Sequence, residues 1–419
     1  RFKISMYKSL LTNRNFLKIW LAQLFSQLAA NLLNFALIIR VFELSANTKY
    51  ANIAVSLLIL SFGVPSIIFA VLAGAYVDHM DRKKVLVITN IVRAVLVLCF
   101  LLFETNLIFV YLTVFIISTF SQFFTPAESA ALPKLVNKKH LVVANSLFLF
   151  TLYSSFILGY SLAGPIISTW GANSVYWATS AAFAISALLS LGLPKLRAHQ
   201  KGFDFKTINH DVFVTIRQTA NKILKTPALL FPIVNLTIGQ MLIGIIAVVA
   251  PALAILLFNQ SLASTSYKLI VPTAVGMIAG AVLVGQIFRN VHKAKLINIG
   301  IVIAVVSLFG IGFSKSYMGS PLYTYIIVTL AFGLGFANAI IGVSAQTLLQ
   351  IHSTDDERGK IFGTLNMMMN LAATLPVLLA GITADLISPS SVLLIAGAMV
   401  AVYGVYQFVT LKKHELVDR

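Results

Sequence analysis

The sequence predicts an all-α integral membrane protein with twelve transmembrane helices in two pseudo-symmetric six-helix halves. Composition is the first reason. Of 419 residues 58% are hydrophobic and only 11% charged, with a mean hydropathy of +0.91, whereas about a quarter of a soluble chain is charged. Most of this surface therefore faces something other than water, which excludes a cytosolic enzyme and a disordered chain. The second reason is length. A helix crosses a bilayer in about 20 apolar residues, and segments of that size bounded by charge, Pro or Gly fall at 16–41, 50–73, 85–103, 107–127, 142–165, 173–193, 228–252, 267–288, 296–313, 321–348, 361–385 and 390–411. The third is where the charges fall. Twenty-six of the 31 Lys and Arg lie before span one or in its first turn, after span twelve or in alternate loops, against four (Arg40, Lys49, Lys268 and Lys315) on the other side. The positive-inside rule then places both termini in the cytoplasm. The net charge of +18 becomes a record of topology, and nucleic acid is not an expected partner.

Taken in order, the basic start leads into an apolar stretch too long for a cleavable leader, which reads as span one. Its Gln23, Gln27, Asn31 and Asn34 fall within about 80° of one another at about 100° per residue, a polar stripe on an apolar helix. Amides are costly in hydrocarbon, so the stripe faces either a cavity or a neighbouring helix. Span two ends in Gly74-Ala-Tyr-Val-Asp78, and a basic run Arg82-Lys83-Lys84 follows. Span three carries Arg93 about two turns in, placed either to snorkel to the inner interface or to hold an anionic group or an internal acid, and Cys99, a small hydrophobe with no partner cysteine. Span four offers Gln122 and, at its cytoplasmic end, Glu128. Span five offers Tyr153 and Tyr160, then Gly159, Ala163, Gly164 and Pro165, where close helix packing is the simplest reading.

The one long connection follows span six, so the chain divides into 1–193, a cytoplasmic linker 194–227, and 228–419. Within the linker Ile208, Val212, Phe213, Ile216, Ile223 and Leu224 gather near one helical face opposite Arg217, Lys222 and Lys225, the pattern of a helix lying on a membrane surface; a solvated tether is the alternative. Span seven contains Asn235 and Gln240. Span eight ends in Gly280-Ala281 before Arg289, Lys293 and Lys295, an echo of the end of span two that has lost the acid. Span ten ends near Gln346 as span four ends near Gln122. Span eleven carries Asn366 and Asn370 at i,i+4 with Met367, Met368 and Met369 between them.

Gly74-Ala-Tyr-Val-Asp78-His-Met-Asp81-Arg82-Lys83 resembles the signature loop between spans two and three of the major facilitator superfamily. Its Asp-x-x-Asp-Arg-basic form is similar to that of bacterial macrolide-efflux and enterobactin-exporter members. Pro126-Ala-Glu128 through Val136 with Ala144-Asn145-Ser146, and Glu357-Arg358-Gly359-Lys360 with Gly363, resemble that group's segments before spans five and eleven.

The resemblance implies the major facilitator fold, alternating access, and a cavity beside span one. It implies a cytoplasmic gate of Gly74, Asp78, Arg82 and Glu128, in which Asp78 meets the start of span eleven and Arg82 pairs with Glu128. The expected cavity residues are Gln23, Gln27, Asn31, Asn34, Gln122, Tyr153, Asn235, Gln240, Gln346, Asn366 and Asn370, a lining suited to a bulky amphipathic ligand. Proton-coupled members often carry an acid in span one or an Arg in span four. Here span one reads Ala29-Ala30-Asn31 and span four has no Arg, so coupling, if present, has to use another group. No phosphate-cradling loop, metal spacing or nucleophile constellation is visible. The expectation is a monomeric, cofactor-free, non-enzymatic exporter of a drug- or siderophore-like molecule in a bacterial inner membrane, with protons as the coupling ion. A passive facilitator, a lipid translocator and a non-transporting sensor are the alternatives.

Overall fold

A computed structural model describes residues 10–137, 140–196, 214, 217–288, 291–352 and 355–413. Among them are twelve long helices: α1 (Arg14–Ser45), α2 (Ala51–Asp78), α3 (Arg82–Phe103), α4 (Leu107–Leu135), α5 (Leu141–Trp170), α6 (Ala172–Leu191), α7 (Pro227–Phe258), α8 (Leu262–Gln286), α9 (Lys293–Gly312), α10 (Tyr323–His352), α11 (Asp355–Leu386) and α12 (Pro389–Lys413). Each contains a stretch long and apolar enough to cross a membrane, so this is a multi-pass membrane protein. In hydrocarbon a helix satisfies every backbone group internally, and nothing obliges it to stop where the apolar run stops. Several helices accordingly outrun the spans read from sequence. The most consequential is α4, which continues past residue 127 and through Pro133 to Leu135 where the sequence suggests a polar loop.

Two compact units are present. The first combines residues 1–40 with 61–213. Its helices are joined by small polar side chains that reach a neighbour's backbone, the usual adhesive where hydrophobic association has no advantage over lipid. Ser118 Oγ donates to Phe62 O (2.7 Å), Ser180 Oγ to Ala94 O (2.9 Å) and Ser186 Oγ to Ala22 O (2.7 Å). Trp20 Nε1 donates to Thr151 Oγ1 at 2.7 Å, tying α1 to α5. Nearby the two helices come so close that a Cβ on Gly159 would lie 2.6 Å from the Asn31 Cβ. A core of Phe16, Ile19, Val77, Leu86, Phe124 and Leu132 fills one end of the unit.

The second unit combines residues 41–60 with 214–419. The first turns of α2 belong here because α11 caps them. Asp385 accepts from Asn52 N (3.0 Å), Asn52 Nδ2 (2.7 Å) and Ile53 N (2.9 Å), while Ser56 Oγ donates to Val377 O at 3.0 Å. Helices α8 and α10 cross in direct backbone contact: a Cβ on Gly276 or Gly335 would collide with the carbonyl of Phe332 or Thr273. Gly280, part of the degenerate repeat visible in the sequence, belongs to the same crossing. Of the linker, residues 217–225 are helical, with Ile223 buried in this unit's core and Arg217, Lys222, Leu224 and Lys225 exposed. The remainder of the proposed amphipathic face, Ile208, Val212, Phe213 and Ile216, lies outside the described residues.

Candidate functional site

A polar cluster in the first unit surrounds Arg93, and it follows from the faces of two neighbouring helices. On α3, residues 82, 86, 89, 90 and 93 recur at helical spacing on one face. On α4, Ser121, Phe124 and Glu128 do the same. A short turn joins the two helices, so they run in opposite directions. Arg93 is only 2% exposed and does not snorkel. Its Nε donates to Thr89 O (3.1 Å), its Nη2 to Asn90 Oδ1 (2.6 Å) and its Nη1 to Ser121 Oγ (3.4 Å). The guanidinium carbon sits 4.7 Å from the Phe124 ring centre and 4.6 Å from that of Phe183, a cation–π contact on each. Asn90 is itself fixed, donating to Leu86 O (3.0 Å) and to Ser186 Oγ (2.9 Å), and Ser186 in turn holds α1 through Ala22 O.

Glu128 is 4% exposed, and its electrostatic partner is Arg93. The sequence reading pairs it with Arg82; the direction of helical side chains is what also brings Arg93 toward it. Side chains lean toward the N-terminus of their own helix. On antiparallel helices Arg93 leans toward the Asp81 end of α3, while Glu128 leans back toward Phe124, so the two converge at the level of Thr89 and Asn90. Arg82, at the start of α3, lies about three turns before Arg93. It is buried, and its backbone N–H donates to Leu196 O (3.2 Å). Asp81, the residue that marks the signature's variant form, caps α3: its carboxylate accepts from Lys83 N at 3.0 Å. Gly74 is half-buried in α2 with open space where a Cβ would stand. The Asp78 side chain lies outside the described residues.

The expected cavity amides separate into two groups. Several are engaged in helix contacts. Gln23 is buried and its Nε2 donates to Phe148 O of α5 (3.3 Å); Asn31 Nδ2 donates to Gln27 O (2.9 Å) and its Cβ backs onto Gly159. Asn235 is buried, donating to Phe231 O (2.9 Å) and to the Tyr403 hydroxyl of α12 (3.1 Å). Gln122 Nε2 donates to Ser118 O at 3.3 Å on its own helix. The side chains of Gln27, Asn34, Gln240, Gln346 and Asn370 are half-buried on their respective helices, while those of Tyr153 and Asn366 lie outside the described residues. Sequence reasoning passes over Asn90, Ser186, Asn298 and Gln407; Gln407 Nε2 donates to Asn298 Oδ1 at 2.6 Å between α12 and α9. For Asn90, Asn298 and Gln407 the available signal was an amide on an otherwise apolar span, the same signal used for span one. Among the described residues no group of His, Cys, Asp and Glu could hold a metal ion.

A family model described as Major Facilitator Superfamily matches residues 19–354. The chain belongs to the major facilitator superfamily. Among its relatives is the MFS-type transporter YfiS of Bacillus subtilis, 26% identical over 95% of this chain and 94% of that one. Macrolide efflux protein A of Streptococcus pyogenes is 25% identical over 92% and 93% of the two chains, and the enterobactin exporter EntS of Salmonella choleraesuis 24% identical over 84% and 81%. Solved structures of the same fold include the nucleoside transporter NupG, with a TM-score of 0.69 at 15% identity, covering 94% of this chain and 99% of that one. A POT family transporter in complex with 5-aminolevulinic acid gives 0.75 at 10% identity, covering 97% of each chain. This major facilitator protein is therefore a transporter built on twelve helices, as its sequence leads one to expect.

Proposed function

We propose that this transporter exports a lipophilic or amphipathic small molecule, of the macrolide or siderophore kind, from the cytoplasm by alternating access, in exchange for protons. The observation that carries the reading is its end-to-end likeness to macrolide efflux protein A and to EntS. The half-buried amides Gln27, Asn34, Gln240, Gln346 and Asn370, with the soft Met367–Met369 run, are assigned to the substrate path. Adaptable surfaces of this kind suit bulky ligands. Gln23 and Asn235 are assigned instead to helix adhesion because their amides donate to α5 and α12, and Asn31 because its Cβ backs onto Gly159 of α5. Gly74, Asp78 and Arg82 act as a cytoplasmic gate. The 26-to-4 bias of basic residues supports an inner-membrane protein with both termini in the cytoplasm, and the long basic connection after span six supports a division of the sequence into residues 1–193 and 228–419 about a linker.

The test is accumulation of erythromycin, a catecholate siderophore and ethidium in an efflux-deficient host, with and without a protonophore. Expression lowers accumulation of at least one class, and collapsing the proton gradient restores it. Unchanged accumulation of all three refutes the export reading; export that survives the protonophore refutes proton exchange and favours a passive facilitator.

A further inference from the structure

We propose that Glu128, with Arg93 as its fixed counter-charge, is the group that takes up and releases the proton driving transport. The inference rests on the proton-exchange reading above and names the residue that carries it out. A buried carboxylate kept for structure alone is normally locked into hydrogen bonds. Glu128 is nine-tenths buried and more, yet its Oε1 has no hydrogen-bond partner. The guanidinium facing it is held independently, by Thr89, Asn90 and Ser121 and between two aromatic rings. The cage around Arg93 therefore persists whether Glu128 is charged or neutral, and the carboxylate is able to change protonation without dismantling the packing of α3, α4 and α6.

The arrangement also answers the absence of an acid in mid-span. Membrane-embedded carboxylates facing a fixed cation are functional positions by default, because their burial is otherwise costly. Sequence context alone puts Glu128 at the membrane surface. Helix α4, by continuing past residue 127 to Leu135, and the helices packed around it instead bury it. On α3 the Arg93 guanidinium sits over the ring of Phe124, one turn before Glu128 on α4, and its positive charge acts on the carboxylate. On its own helix Lys134 lies nearly two turns further on and is coupled to Arg82 and Asp81.

The step balances simply. A carboxylate oxygen of Glu128 forms an O–H bond with a proton delivered from hydronium on the outer side, leaving water. In the opposite state that bond breaks and the proton passes to water on the cytoplasmic side, restoring the negative carboxylate beside Arg93.

The experiment uses the full chain in lipid nanodiscs and needs no known substrate. Infrared difference spectra recorded across a pH titration are expected to show the C=O band of a protonated buried carboxyl in the wild type, lost in Glu128→Gln and with a shifted midpoint in Glu128→Asp. Gln is nearly isosteric, and thermal unfolding checks that the fold persists; should it fail to fold, the midpoint shift in Asp decides. Wild-type and Gln spectra that titrate alike overturn the proposal. In cells expressing a wild type whose export responds to a protonophore, Glu128→Gln is expected to reduce gradient-driven export to the level of the empty host; undiminished export overturns the proposal. A wild type that exports without regard to the gradient removes the proton-exchange reading itself, and the infrared titration separates that outcome from an error about Glu128.

Discussion

Replacing Asp385 tests whether the cap on α2 is a principal support of the second unit. The carboxylate accepts three hydrogen bonds, two from first-turn backbone N–H groups and one from the buried Asn52 amide. Bonds to a charged acceptor are each worth about 1.5–3 kcal/mol when no water replaces them. Loss of a helix cap with water able to return costs about 0.5–2 kcal/mol. Because Asn52 is buried while Asp385 is only half-buried, Asp385→Ala falls between these limits, at about 2–4 kcal/mol. Asp385→Asn retains shape and an acceptor but removes the favourable interaction of a negative charge with a helix N-terminus, a loss of about 1 kcal/mol. For a cooperative unit of this size the Ala change lowers the unfolding midpoint by roughly 5–10 °C, read by intrinsic fluorescence in detergent micelles. An Ala variant within about 0.5 kcal/mol of wild type, or an Asn variant as damaged as Ala, would refute the capping account.

Three further outcomes are expected. Gly335→Ala sets a methyl against the Thr273 carbonyl and lowers stability by several kcal/mol on the order of an overpacked core, whereas Gly342→Ala, with open space around it, is neutral or raises the unfolding midpoint through helix propensity. Arg93→Met abolishes export and destabilises by about 3–5 kcal/mol because it strands Glu128; adding Glu128→Leu restores much of the unfolding midpoint without restoring export. Asn235→Val and Tyr403→Phe each cost about 1 kcal/mol, and the double variant costs less than their sum since both delete one bond. Export that falls tenfold in Asn235→Val at an unchanged unfolding midpoint would return Asn235 to the substrate path.

Legibility followed the range of the physics involved. Spanning helices were readable because the requirement for about 20 apolar residues is local, and the positions of Lys and Arg need no knowledge of packing. The signature after span two was readable because its residues are contiguous. Helix ends were less so: Pro133 looks like punctuation, but a helix flanked by others tolerates it, and α4 runs on past residue 127. The amides of span one illustrate the boundary. Their shared face is visible at helical periodicity, yet that face is bound in part to α5, and which neighbour a face meets is a property of the bundle.

By itself, then, the sequence determined that this is a twelve-helix membrane transporter, its charge asymmetry and its family likeness, since each depends on residues near one another along the chain. Only the tertiary structure decided that Arg93 is caged, that Glu128 is buried within reach of its charge, and that Asp385 caps a helix more than 300 residues away in sequence. Those outcomes depend on the register between helices and on the direction in which their side chains lean, and neither is encoded by any single span.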